Sequence, residues 1–177
     1  MDWKLVSAEL ILRRRIFNVW QQRRRSPRTG QEHEFDVLET SDWVNVVPVT
    51  PDRRVVLVRQ FRHGIGQTTL EVPAGLIDPA DVSPTHAGAR ELREETGYAA
   101  ADLVPLGVVH PNPAIQNNRC HIFLARDACR VGEVQWDHTE EIAVELVPVG
   151  EIGPLIESGE ISHALAVTAL LLALPRL

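Results

Sequence analysis

Cysteine is scarce: the chain has two among 177 residues, and Cys120 and Cys129 stand eight apart without the C-x-x-C spacing or flanking ligands of a zinc or redox site. Reduced, partly buried thiols are expected. Long apolar runs are missing too. The longest, Ala164–Leu174, falls short of the roughly 20 residues needed to span a bilayer, and the first residues lack the basic-then-apolar order of a signal segment. These absences argue against a membrane partner and lead to an expected cytoplasmic location. No internal repeat, low-complexity tract or linker is visible, so nothing argues for a second module. With 44% hydrophobic residues, residues 1–177 suffice for one domain with a sizeable core.

Formal charge is −6, yet residues 1–30 carry Lys4, Arg13, Arg14, Arg15, Arg23, Arg24, Arg25 and Arg28 against Asp2 and Glu9. A basic patch of this kind suits RNA or polyphosphate. Arginines interleaved with Ile16, Phe17, Val19 and Trp20 also describe the solvated side of a β-hairpin, which is the expected role. Apolar runs rich in β-branched residues and bounded by turns predict strands at Leu5–Ile11, Ile16–Gln21, Phe35–Glu39, Val44–Val49 and Val55–Phe61. Further strands are expected at Leu103–Val109, Cys120–Ala125 and Ile142–Val147, with helices near Gly150–Ser158 and Ser162–Leu174. The pattern is α/β: a mixed sheet with helices on its faces.

The most specific stretch is Gly75-Leu76-Ile77-Asp78 followed by Arg90-Glu91-Leu92-Arg93-Glu94-Glu95-Thr96-Gly97-Tyr98. Ser83 as N-cap, Pro84 at the first helical position and Gly97 just past the end delimit a helix of about three turns. Glu91, Glu94 and Glu95 fall at i, i+3 and i+4 on that helix, with Cβ atoms about 5–6 Å apart. Their charges repel one another, and a hard cation such as Mg²⁺ or Mn²⁺ would relieve the repulsion. An isolated acidic helix face is usually only solvated surface. Five specified letters at about 6% usage each recur by chance about once in a million starts, however, so this pattern calls for a specific explanation.

These residues resemble the Nudix box of the Nudix hydrolase superfamily: a Gly, a Glu after five residues, then R-E-aliphatic-x-E-E-x-G-aliphatic after seven more. Gly75, Arg90, Glu91, Glu94, Glu95 and Gly97 match one for one. Asp81 stands where the box has Glu, and eight residues rather than seven separate it from Arg90, which argues against a ligand or helix-anchoring role for position 81. The resemblance implies a Nudix α/β/α sandwich with a mixed sheet and an N-terminal β-hairpin extension. Residues 1–40 would then supply N-terminal strands that serve dimerisation, and residues 41–177 the catalytic sandwich. It also implies Glu91, Glu95 and the carbonyl of Ala74 as metal ligands, Glu94 as a ligand or water-mediated partner, and Arg90 orienting a glutamate.

Within the superfamily, Val58-Arg59-Gln60-Phe61-Arg62 ahead of Leu70-Glu71-Val72-Pro73-Ala74-Gly75-Leu76-Ile77-Asp78, with Pro113 beyond the box, resembles ADP-ribose pyrophosphatases and related nucleoside diphosphate sugar hydrolases. Arg62, with Arg59, would clamp the diphosphate through charge-assisted hydrogen bonds. Trp43 either stacks on a nucleobase or fills the core edge. In the acidic turn Asp137-His138-Thr139-Glu140-Glu141, Glu140 is the first choice to orient the attacking water and Glu141 the second. The expected activity is divalent-metal-dependent hydrolysis of ADP-ribose-like substrates by a homodimer. The alternatives are another diphosphate linkage, such as RNA 5′ ends met by the Arg13–Arg25 region or dinucleoside polyphosphates, and a non-catalytic nucleotide-sugar sensor.

Overall fold

Between Lys4 and Glu39 the chain forms three antiparallel strands, β1 (Lys4–Arg13), β2 (Asn18–Arg25) and β3 (Glu32–Glu39), joined in that order. The computed structural model describes residues 2–135 and 141–177, which fall into two units, Met1–Asp42 with His110–Arg119 and Trp43–Val109 with Cys120–Leu177. In the first unit, the Ser26 hydroxyl accepts from the N–H groups of Arg28 and Thr29, and Gly30 at φ +73° turns the chain from β2 into β3. The expected hairpin is thus a three-stranded meander, because the arginines expected beyond its second strand continue β2. Arg23 pairs with Glu34 at 3.1 Å and Arg25 with Glu32 at 2.7 Å, both across β3. Such exposed pairs add little stability, but they engage Arg23 and Arg25, two of the eight cations of the basic patch that a nucleic-acid track would require.

Alternation puts Leu10, Trp20 and Val37 abreast on one face of this sheet and the Arg–Glu pairs on the other. Trp3 lies edge-on to Phe35 and His33, with ring centroids 5.4 and 5.6 Å apart. The segment 110–119 runs beside β3, where Leu38 donates to the carbonyl of Ile115 and accepts from the N–H of Asn117. Pro113 therefore belongs to this first unit.

The second unit holds β4 (Trp43–Pro48), β5 (Arg54–Arg62), β6 (Gln67–Glu71), β7 (Ala74–Leu76), α1 (Pro84–Thr96), β8 (Tyr98–Ala99) and β9 (Leu103–Val109). It continues with β10 (Cys120–Ala125), β11 (Cys129–Arg130), β12 (Ile142–Pro148), α2 (Ile152–Glu157) and α3 (Ala164–Ala173). A four-stranded mixed sheet runs β7-β4-β10-β9, with β4 and β10 parallel. An antiparallel sheet β12-β5-β6 and the short pair β11-β8 complete the unit.

The period-2 alternation of β4 and β10 builds two cores, one on each side of the mixed sheet. Val44, Val46, Phe123 and Ala125 meet Ala87 and Leu92 of α1. Val47, Cys120, Ile122 and Leu124 meet Leu165, Ala166, Ala169 and Leu170 of α3. This is the helix-sheet-helix layering expected from the sequence. Gly88 lets α1 come this close: a Cβ there would stand 3.0 Å from Leu103 Cδ2 and 3.2 Å from Val46 Cγ2. Among the described residues, no helix is long and apolar enough to cross a membrane.

Candidate active site

Helix α1 begins where its sequence signals put it, with Ser83 in extended backbone and its hydroxyl accepting from the His86 N–H at 3.1 Å. It ends at Gly97, whose φ of +73° closes a bond from its N–H to the Arg93 carbonyl at 2.9 Å. With Ala87 and Leu92 buried against the sheet, the rotation of the helix is fixed, and Glu91 and Glu95 are turned toward the β7 turn. Glu95 is 4% exposed and accepts from the Ala74 N–H at 3.0 Å. Glu91 lies flat against the backbone of Gly75, so that a Cβ at that position would fall 2.2 Å from its Cδ and its Oε1. A side chain at position 75 would displace that carboxylate.

Arg90 binds the rest together. Its Nη1 donates to Glu91 Oε1 at 2.8 Å and to Glu94 Oε2 at 2.9 Å, and its Nη2 donates to the Leu76 carbonyl at 3.1 Å and to Asp81 Oδ2 at 2.9 Å. Its Nε reaches Asp81 Oδ1 at 3.2 Å. The Asp81 hydrogen bonds, and after them the neighbouring glutamates, push the Arg90 pKa above its already high normal value. A single guanidinium thus offsets the repulsion among the clustered carboxylates.

The expectation that Asp81 has no anchoring role is overturned. Its side chain is 2% exposed and takes the Nε and Nη2 of Arg90, the Asp78 N–H at 2.9 Å and the Nδ1 of His86 at 2.7 Å. The inserted residue is absorbed in a turn closed by the Asp81 N–H on the Asp78 carbonyl, which carries the shorter aspartate to Arg90. The Arg90 hydrogen bonds outweigh burial and hold the Asp81 carboxyl well below the usual carboxylate range.

The structure brings Glu91, Glu95 and the Ala74–Gly75 turn together, and places Glu94, 38% exposed in its side chain, on the outer side of Arg90. Among the described residues, no three acidic, His or Cys side chains already form a metal-ready cluster. The donor set nevertheless fits a hard divalent cation: two carboxylates beside a backbone turn, one of them seated where a Cβ would lie.

The other expected residues are dispersed. Arg62 on β5 makes a two-pronged pair with Glu71, Nε to Oε1 and Nη2 to Oε2, each 2.8 Å. Arg59 instead pairs with Glu145 of β12 at 2.5 Å and with Glu160 before α3 at 2.8 Å, and these bonds, Glu145 first, raise its pKa. Trp43 is half-buried against the core on the α3 side. Glu141 is exposed just before β12, and Glu140 lies outside the described residues. The chain leading toward it is tied to α1, since Val131 donates to the Gly97 carbonyl and Gln135 to the Glu94 carbonyl, each at 2.8 Å. Glu71, Asp81 and Glu145 were missed as participants; the interruption of the apolar run Leu70-Glu71-Val72 by a carboxylate was the available signal for the first.

Comparison with known families matches the NUDIX domain over residues 40–169. An ADP-ribose pyrophosphatase of Bacillus subtilis is 27% identical over 165 residues, spanning 93% of this chain and 88% of that protein. An ADP-ribose pyrophosphatase of Mycobacterium tuberculosis is 29% identical over 171 residues, spanning 96% and 82%. A crystal structure of an ADP compounds hydrolase matches with a TM-score of 0.86 at 26% identity, covering 98% of this chain and 92% of that one.

Two outcomes follow from the geometry. Gly75→Ala must displace the Glu91 carboxylate, so it is expected to weaken divalent-cation binding by about tenfold or more while the far-ultraviolet dichroism stays native. Isothermal titration with Mn²⁺ checks this, and unchanged affinity contradicts it. For Asp81→Asn, the sign follows from a folded pKa below the unfolded one: the stabilising charge is fully present above about pH 4–5 and is lost as pH falls toward the folded value. The variant should be less stable than the parent by about 2 kcal/mol near neutral pH, with the gap narrowing below about pH 4. Urea denaturation across pH measures that gap, and a difference that does not change with pH rejects the charge argument.

Proposed function

Because the chain belongs to the Nudix domain family, we propose that it hydrolyses the diphosphate bond of ADP-ribose and related nucleoside diphosphate sugars, releasing a nucleoside monophosphate and a sugar phosphate. The observation that carries this reading is the pair Glu91 and Glu95 set on the Ala74–Gly75 turn, with Arg90 holding Glu91 and Glu94. The ADP-ribose pyrophosphatases of similar length support the substrate class.

Glu91, Glu95 and the Ala74 carbonyl hold Mg²⁺, with Mn²⁺ as a substitute, and Glu94 joins them directly or through water. When bound, the cation supplies charge neutralisation at the phosphate oxygens and a more acidic water. Arg90 keeps Glu91 and Glu94 aligned between turnovers. Arg62 binds the diphosphate by charge-assisted hydrogen bonds, whereas Arg59, engaged by two carboxylates, is assigned to holding β5 against β12 and the segment before α3. Trp43 is assigned to packing. Glu140, with Glu141 as the substitute, orients the attacking water.

The cytoplasm is the proposed compartment, since the exposed Cys129 thiol suits a reducing medium. We take the working form to be a homodimer joined through the β1–β3 sheet, on which Trp3, Leu5 and Phe35 are exposed. Phe35→Glu should then halve the sedimenting mass; a parent chain that sediments as a monomer rejects the dimer.

Turnover tests the reaction. The protein is expected to cleave ADP-ribose and ADP-glucose faster than GDP-mannose, dinucleoside polyphosphates or capped RNA, and only with a divalent cation. Glu91→Gln and Glu95→Gln should each lower kcat by about two to three orders of magnitude. Glu140→Gln should lower kcat with little effect on KM, because a group that orients water acts mainly in the transition state. Parental turnover in both helix variants, or no metal-dependent cleavage of any nucleotide sugar, defeats the proposal.

A further inference from the structure

Glu71 is the most deeply buried carboxylate that the chemistry above leaves unused. It ends β6 between Leu70 and Val72, both core residues, with 1% of its side chain exposed. Three side chains surround it. The Nε and Nη2 of Arg62 donate to its two oxygens at 2.8 Å each, the Thr69 hydroxyl donates to Oε1, and His163 Nδ1 stands 3.6 Å from Oε2. His163 serves a different partner: its Nδ1 accepts from the Ala166 N–H and caps α3. An Nδ1 that accepts a hydrogen bond carries no proton, and burial, ahead of the opposing effect of Glu71, lowers the His163 pKa. The charge partner of Glu71 is therefore Arg62. Burial alone would raise the carboxyl pKa, but Arg62 and Thr69 outweigh it, and the group stays ionised.

A buried ion pair is a poor way to stabilise a core, since a packed apolar pair of similar volume often does as well or better. What such a pair supplies is orientation. Two parallel bonds fix the plane of a guanidinium, which no lysine could reproduce, and Arg62 extends from the buried carboxylate to a side chain 36% exposed. The same carboxylate sits three residues before Ala74. Beyond it, the Pro73 carbonyl is held by the Val46 N–H at 2.9 Å and the Ala74 N–H by Glu95 at 3.0 Å, so the turn is fixed in register from Glu71 to Gly75.

We propose that Glu71 is a positioning residue: through its two-pronged pair it sets the Arg62 guanidinium, in register with the Ala74–Gly75 turn, for the diphosphate of the substrate. The inference rests on the reading of Arg62 as the diphosphate contact. Glu71 itself touches no substrate, and its effect passes entirely through Arg62.

A double-mutant cycle tests this on the full chain, using Glu71→Gln, Arg62→Gln and the two combined. Three quantities are measured: KM and kcat for ADP-ribose, the dissociation constant of the non-hydrolysable α,β-methylene analogue, and the urea midpoint. Each single variant is expected to raise KM and the analogue's dissociation constant by about tenfold, with a smaller change in kcat. The combined variant should bind no more weakly than Arg62→Gln alone. Glu71→Asp keeps the charge but withdraws it by one methylene, so it should raise KM as well and is read in place of Glu71→Gln if that variant does not fold. Arg62→Lys should fail to restore binding. Effects of Glu71 and Arg62 that multiply, or a Glu71 variant with parental KM and analogue affinity, overturn the positioning role while the enzymatic reading stands. A parent chain that neither cleaves ADP-ribose nor binds the analogue removes the reading and the proposal together.

Discussion

The ion-pair hub at Arg90 is the interaction on which the site depends. Glu91, Glu94 and Glu95 lie within one turn of α1, close enough to repel, and Asp81 adds a nearly buried carboxylate a few ångströms away. Without a counter-charge these carboxylates would be driven apart. Arg90 answers Asp81, Glu91 and Glu94 at once and fastens the Leu76 carbonyl as well. Its planar fork suits this task because its donors point in fixed directions. The metal-free fold can thus hold carboxylates in place ahead of ligand, the preorganisation that catalysis by charge requires.

Close backbone approach is the second constraint, and it explains why glycines sit where they do. Gly75 admits the Glu91 carboxylate, Gly88 admits the sheet, and Gly97 both adopts a left-handed conformation and leaves room for the Gly132 carbonyl, which a Cβ would meet at 2.4 Å. Each removes a side chain at a point where α1 meets something else. The helix is therefore positioned by contacts along its whole length, with Ala87 and Leu92 supplying the apolar part. Glu95, nearly buried, accepts from the Ala74 N–H, which offsets part of its desolvation.

What the sequence made legible was local. The Ser83 and Gly97 caps, the carboxylate spacing and the alternation in Val44–Val47 and Cys120–Ala125 depend on neighbours within a few residues, and the structure repeats them. What stayed hidden depended on partners distant along the chain or on side-chain reach. The register of the third strand on β2, with Glu32 and Glu34 opposite Arg25 and Arg23, is one that no single run of residues displays. Asp81 was misjudged because a spacing rule counts residues, whereas a turn can take up an extra one and still deliver the carboxylate. The expected water-orienting role falls on the adjacent pair Glu140 and Glu141, and their spacing does not decide between them.

Arg59 and Arg62 show most clearly why pattern and role part company. Three residues apart on one strand and identical in chemistry, they read as one diphosphate clamp. Yet residues an odd number apart on a strand face opposite ways, and the two guanidiniums end among different neighbours. Arg59 spans two part-exposed glutamates, from β12 and from the segment before α3, where solvent screens the attraction and the bond serves mainly to hold elements together. Arg62 meets a carboxylate removed from water, where the attraction is stronger and the geometry stricter. The difference between the two arginines therefore lies in the burial of the acid each one meets, a property set by the opposite strand rather than by the arginine's own motif.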